Sequence, residues 1–196
     1  MGPGFAAFQC SLLLRISSDN TSVHLKPTVA PAWWQESVHL LLQFCTGYMF
    51  FDGIFSLLLP NNFVLKDDDL LFMIHHIITV TYMTSTRIIG AGHQSAMICM
   101  FHGEFTNPIH NMFYFLEESM KLACCSGVVA QTVQYINTFI FASTYVVIRA
   151  IGAPSMLMGY TCYDLLANGR KHIPLPVILF WCALIWAIAI GSMPWV

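Results

Sequence analysis

From Ser37 to Leu59 the chain runs through apolar residues with one charge, Asp52, and stops at Pro60-Asn61-Asn62. At ~1.5 Å per residue, a helix of that length crosses a hydrocarbon core ~30 Å thick. Such runs recur along the chain. Leu70 to Thr86 is a second, opened by Asp67-Asp68-Asp69 and closed by Arg87 and Gly90-Ala91-Gly92. His93 to Leu116 is a third, ending at the charged stretch Glu117-Glu118-Ser119-Met120-Lys121. Residues 128–148 form a fourth, which Arg149-Ala150-Ile151-Gly152-Ala153-Pro154 bends or ends. The stretch from there to Ala167 is the lower half of a kinked helix or a separate short span, and Asn168-Gly169-Arg170-Lys171 is a turn. Ile173 to Trp195 is the last run. Together they predict an all-α fold: a polytopic integral membrane helix bundle of about 5–6 transmembrane helices.

The charge content agrees. Only 9% of residues are charged and 57% are hydrophobic, against roughly 25% charged in a soluble domain. The apolar surplus needs a bilayer to face. A formal net charge of −2 carries no electrostatic footprint for nucleic acid, so that class of partner is excluded. The seven cysteines form no CxxC pair and read as small core residues. No glycine-rich phosphate loop, serine nucleophile elbow or Cys–His motif is present.

The expected organisation is a segment 1–35, comprising an N-terminal stretch and a loop, followed by a transmembrane domain over 36–196. Met1 to Ile16 is apolar with one basic residue, Arg15, and lacks a basic region ahead of its apolar stretch; it reads as a truncated spanning helix rather than a signal peptide. The rest of the segment to residue 35 is turn-rich, with Pro27, Pro31, a sequon at Asn20-Thr21-Ser22, and the pair Trp33-Trp34 suited to headgroup depth. Lys66 and Lys121 fall on one side, Lys26 and Arg87 on the other, a balance that sets no orientation.

The informative residues are the polar ones inside the apolar runs. Each ionisable group at bilayer depth costs roughly 2.5–3.5 kcal/mol on insertion scales, so such groups face the bundle interior. In the second run His75, Thr79 and Tyr82 share a face, and His76 adjoins them. In the third, Glu104, Asn107 and Asn111 form one stripe and His102, Thr106 and His110 another. A helix polar on two sides belongs at the bundle centre. Pro108 lies among these residues and is expected to kink the helix and free the carbonyl of Glu104. Asp52, His75 and His76 are the expected partners of this polar set. A neutral buried histidine has the chemistry of a general base, which makes His75 and His76 the candidate catalytic residues; the alternative is that both rings only bond to backbone or neighbouring helices. Metal binding is not expected, because one bare His-His pair without HxxH or HxxxH spacing offers too few ligands.

At these residues the sequence resembles the TLC domain family. That family joins ceramide synthases of the longevity-assurance type, translocating-chain-associating membrane proteins, a ceroid-lipofuscinosis protein and smaller TLC domain-containing proteins. The matching elements are Gly47-Tyr48-x-x-x-Asp52, His75-His76-x-x-Thr79, Arg87-x-x-Gly90, and Glu104-x-Thr106-Asn107-Pro108-x-x-Asn111 with Phe113 and Leu116 downstream. They span roughly residues 40 to 190, and the last of them is most similar to the small TLC branch. Ceramide synthases carry His-Asp where this chain has His102-Gly103, and a second Asp where it has Thr106. This departure counts against N-acylation of a sphingoid base.

The resemblance implies a protein of membrane lipid homeostasis and lipid metabolism in the endoplasmic reticulum or another endomembrane. The expected lipid-binding pocket comprises Asp52, His75, His76, Thr79, Tyr82, His102, Glu104, Asn107 and Asn111, with membrane lipids as partners and no cofactor. One alternative is an acyl-CoA-dependent lipid N-acyltransferase, with acyl-CoA as co-substrate and His75 or His76 as general base. Another is a membrane cargo receptor or translocation helper, for which the short loops leave little room.

Overall fold

The computed structural model describes residues 30–58, 67–121 and 127–191. The apolar start and its sequon, the Pro60-Asn61-Asn62 stop, and the end of the last run lie outside the described residues. Among those described, every regular element is a helix, as the apolar runs predict.

Helix α1 spans Ala32–Leu58 and α2 spans Asp67–Ile89. α1 begins earlier than its apolar run. Pro31 sits just ahead of it, and its carbonyl accepts from the amides of Trp34 at 2.9 Å and Gln35 at 3.1 Å. Proline suits that place because its ring needs no amide donor there. The Trp33-Trp34 pair is therefore helical rather than part of a loop. α2 opens on the acidic triplet Asp67-Asp68-Asp69.

The third run divides. α3 covers His93–Glu104 and α4 covers Asn107–Lys121, with Phe105 and Thr106 forming the turn between them. Pro108 falls in the first turn of α4, where its missing amide costs nothing. The expected kink is thus a break between two helices. Its halves have opposite fates. In α3 all residues from His93 to Met100 are buried, whereas α4 buries none of its side chains. Central placement holds for α3 alone.

Beyond the break, α5 (Val128–Tyr145), α6 (Val146–Thr161) and α7 (Cys162–Ala167) follow one continuous helical path to Lys171. α6 is wound at π pitch and contains Pro154. The proline therefore neither ends the helix nor splits off a separate span. A wider winding admits a residue that has no amide to donate, and π segments recur at functional sites. After a short turn at Gly169–Lys171, α8 runs Leu175–Gly191.

α1 and α2 pack side by side, α8 lies against α2 and α6, and α3 is enclosed by α1, α2 and α6. The core they share includes Trp34, Leu42, Met83, Met97, Leu157, Leu165, Ile178 and Trp181. α2, α3 and α8 are joined by a polar thread. Trp181 Nε1 donates to Ser85 Oγ at 2.9 Å, and Tyr82 Oη lies 2.6 Å from Ser95 Oγ. Trp181 also presses on the turn before α3. Gly92 there has φ +77°, and a methyl group on it would sit 2.6 Å from the Trp181 ring. Only glycine meets both the left-handed backbone and the ring.

The outer surface is apolar. On α5, Val128, Val129, Tyr135, Ile136, Phe139 and Ile140 are exposed, and on α1 so are Leu40, Phe44, Phe50 and Phe51. Among the described residues, the helix Val128–Lys171 alone is long and apolar enough to cross a membrane by length and composition; α8 is apolar but shorter. The inward-facing histidines, threonines and carboxylates dilute the hydropathy of the others.

Candidate functional site

Where α1 to α6 approach one another, with Gly191 at the end of α8, they line a cavity of about 410 Å³. Its polar wall is assembled from distant parts of the chain. Asp52 comes from the last third of α1, and His75 and His76 from the first half of α2. Gly103 and Glu104 come from the last turn of α3, and Thr106, Asn107, His110 and Asn111 from the turn and the start of α4.

Two pairings organise these groups. His76 Nε2 stands 3.3 Å from Asp52 Oδ2, so the carboxylate fixes the orientation of that imidazole. His76 is buried while His75 beside it is partly open, and their rings meet edge to face at 6.0 Å. On the other side, Asn107 Nδ2 donates to Glu104 Oε2 at 2.8 Å. Spacing on one stripe foresaw this contact, and it bridges the break between α3 and α4.

Six of the nine pocket residues expected from the sequence line the cavity: Asp52, His75, His76, Glu104, Asn107 and Asn111. Thr79, Tyr82 and His102 are buried elsewhere. Thr79 Oγ1 returns its bond to the carbonyl of His75 at 2.8 Å, the usual recourse of a threonine inside a helix. Tyr82 is engaged with Ser95 and stacks edge-on against Trp181. His102 Nδ1 pairs with the carbonyl of Ile98 at 2.9 Å, and its ring faces Gly152 of α6.

The structure adds residues that the sequence did not single out for the site. Arg149 is buried and donates to the carbonyl of Gly103, one of the last-turn carbonyls of α3 left without a partner inside the helix. Its guanidinium lies 5.7 Å from the centre of the Tyr145 ring, within reach of a cation–π contact. Tyr48, Tyr114, Phe141 and Tyr145 supply an aromatic lining. Phe141 stacks on His110 with ring centres 4.9 Å apart. The signal for Arg149 was its charge within an apolar stretch, which reads equally well as the end of a span.

Chemically, the cavity offers a carboxylate-oriented imidazole, a second buried carboxyl, amides from two asparagines, and a guanidinium, all flanked by aromatic rings. This is a wall for a polar group whose remaining bulk is apolar. Among the described residues no group of three or more His, Cys, Asp or Glu side chains is arranged to hold a metal ion.

A helical bundle with an apolar exterior and an ionisable interior is the architecture of a membrane protein. The family model of the TLC domain matches residues 5–196, and the chain belongs to that family, which is membrane-associated and lipid-related. No curated protein matches the chain, and no solved structure does.

Proposed function

We propose that this TLC domain protein is a polytopic membrane protein that holds the polar group of a lipid in the inner cavity and acts in membrane lipid homeostasis. One observation carries the reading: a cavity of about 410 Å³ whose ionisable wall is built by five helices, four of which, α1, α2, α4 and α6, expose apolar residues on the outside. Charged groups at bilayer depth persist where they have partners and a task. In this reading the lipid headgroup or amide meets Asp52, His76, Glu104 and Asn107, while acyl chains lie along the aromatic side formed by Tyr114 and Phe141. The membrane is expected to be the endoplasmic reticulum or another endomembrane, and the bundle to span it about 5–6 times.

The test is the lipid content of the purified protein. Native mass spectrometry from a mild detergent is expected to find one lipid retained by the natural chain and lost in His76→Ala. Equal lipid retention by both proteins would remove the cavity as the binding site.

A second reading is favoured by the His76–Asp52 pair. A histidine 3.3 Å from a carboxylate has the arrangement of an oriented general base. In an acyl-CoA-dependent N-acyltransferase it would take the proton from a lipid amine as nitrogen attacks the thioester carbonyl, with CoA thiol leaving. Membranes containing the protein, supplied with acyl-CoA and a long-chain amine, would form N-acyl lipid, and His76→Ala membranes would not. Absence of product from the natural chain rejects this reading and leaves lipid binding standing.

A further inference from the structure

A second polar cluster lies at the other end of the same helices. Arg87 ends α2 and His93 begins α3, each three turns from His76 or Glu104 on the same helix, roughly 16 Å along the axis. That is about half the ~30 Å thickness of a bilayer core. Among the described residues, the cluster contains buried polar atoms that no protein group meets. His93 is 1% exposed, and neither of its ring nitrogens has a hydrogen-bond partner. Gln94 is 0% exposed, and both atoms of its amide group are likewise unpaired. Arg87 Nε is buried and unbonded, although Arg87 Nη2 donates to Thr46 Oγ1 at 3.2 Å. Buried polar atoms without partners are costly and rare, and each asks for a group that meets it.

The surroundings indicate which group. His39 of α1 is exposed, and its ring covers His93 edge-on with centres 5.4 Å apart. α3 begins at this point with Gly92 as its cap residue and no side-chain cap, so its first amides keep their positive end. Arginine, two histidines and an uncapped helix start together favour an anion. Glu36, one turn before His39, is an exposed carboxylate, whose charge salt screens. The depth is marked as well, because Trp33 is 42% exposed on the same end of α1, and tryptophan collects at headgroup level.

We infer that His39, Arg87 and His93 form a phosphate site at the membrane interface, separate from the inner cavity, that seats the phosphate of a phospholipid. The phosphate approaches between His39 and the half-buried Arg87, with His93 beneath. The site does not depend on what the inner cavity holds.

Thermal unfolding of the full chain in a maltoside detergent tests this, with phosphatidic acid, diacylglycerol of the same acyl chains, or inorganic phosphate added. Phosphatidic acid is expected to raise the melting temperature and diacylglycerol to leave it unchanged. Arg87→Gln is expected to weaken the phosphatidic acid response about tenfold in concentration. His39→Gln, at an exposed position that the fold does not rely on, is expected to weaken it in the same direction. Lys121→Gln, which removes an exposed cation at the end of α4, controls for charge alone and is expected to leave the response intact. Inorganic phosphate as effective as phosphatidic acid would support the anion site with a soluble source. An equal shift from diacylglycerol, or an unaltered response in both His39→Gln and Arg87→Gln, would overturn the proposal.

Discussion

His76 Nε2 lies 3.3 Å from Asp52 Oδ2, and the aspartate side chain is 35% exposed while the histidine side chain is 9% exposed. The pair joins α1 to α2 at the mouth of the cavity. Because the carboxylate is partly open, its contribution to stability is small, about 1 kcal/mol or less. Its larger effect is on the angle at which the imidazole is held. Asp52→Asn is expected to leave the unfolding midpoint nearly unchanged while lipid retention falls. In a double-mutant cycle with His76→Ala the two losses are expected not to add, since both break one contact. Fully additive losses would dissolve the pair as a functional unit.

Arg149 ties α6 to the end of α3 through the carbonyl of Gly103. Arg149→Met keeps much of the volume and removes the donor. Loss of a hydrogen bond from a charged group costs about 1.5–3 kcal/mol. Unfolding of the variant in denaturant is expected to fall within that range, and the variant is expected to lose its retained lipid. A variant as stable as the natural chain would mean that the guanidinium is not holding the two helices together.

Tyr82 and Ser95 offer a contrast, being buried and bonded but remote from the cavity. Tyr82→Phe deletes one side of the 2.6 Å contact and is expected to cost about 1 kcal/mol. Lipid retention is expected to be unaltered. A drop in retention would bring Tyr82 back into the site.

Gly90 and Gly92 both have positive φ, but they differ in surroundings. A methyl group at Gly90 meets open space, whereas one at Gly92 meets the Trp181 ring. Gly90→Ala is expected to cost about 1–2 kcal/mol from the backbone alone. Gly92→Ala adds overpacking of about 1–3 kcal/mol. Thermal unfolding of the two variants side by side checks the order, and equal melting temperatures would contradict the close contact with Trp181.

The all-helical fold was readable because long apolar runs fix helix positions with little help from tertiary contacts. The Glu104–Asn107 contact was readable for a similar reason, since residues three apart along a helical path are neighbours. Asp52 and His76 were readable as ionisable residues inside apolar runs, which need polar partners in the bundle interior. The face shared by His75, Thr79 and Tyr82 was real but misleading. Positions on one stripe climb the helix, and by Tyr82 the stripe has left the cavity and reached Ser95 and Trp181. The division of the third run was hidden because a proline in mid-helix and a proline in a first turn look alike in sequence. Arg149 was obscured by Pro154, whose presence argued for a helix end. Only the π winding of α6 reveals that the helix passes through.

The unequal burial of α3 and α4 has a bearing on traffic. α3 is clamped on several sides, whereas α4 packs chiefly along α5 and none of its residues is fully buried. Of the cavity's walls it is the one whose displacement disrupts least. If the cavity holds a lipid as proposed, a molecule already dissolved among the acyl chains would enter beside this helix, moving sideways within the sheet of lipid and never crossing into water.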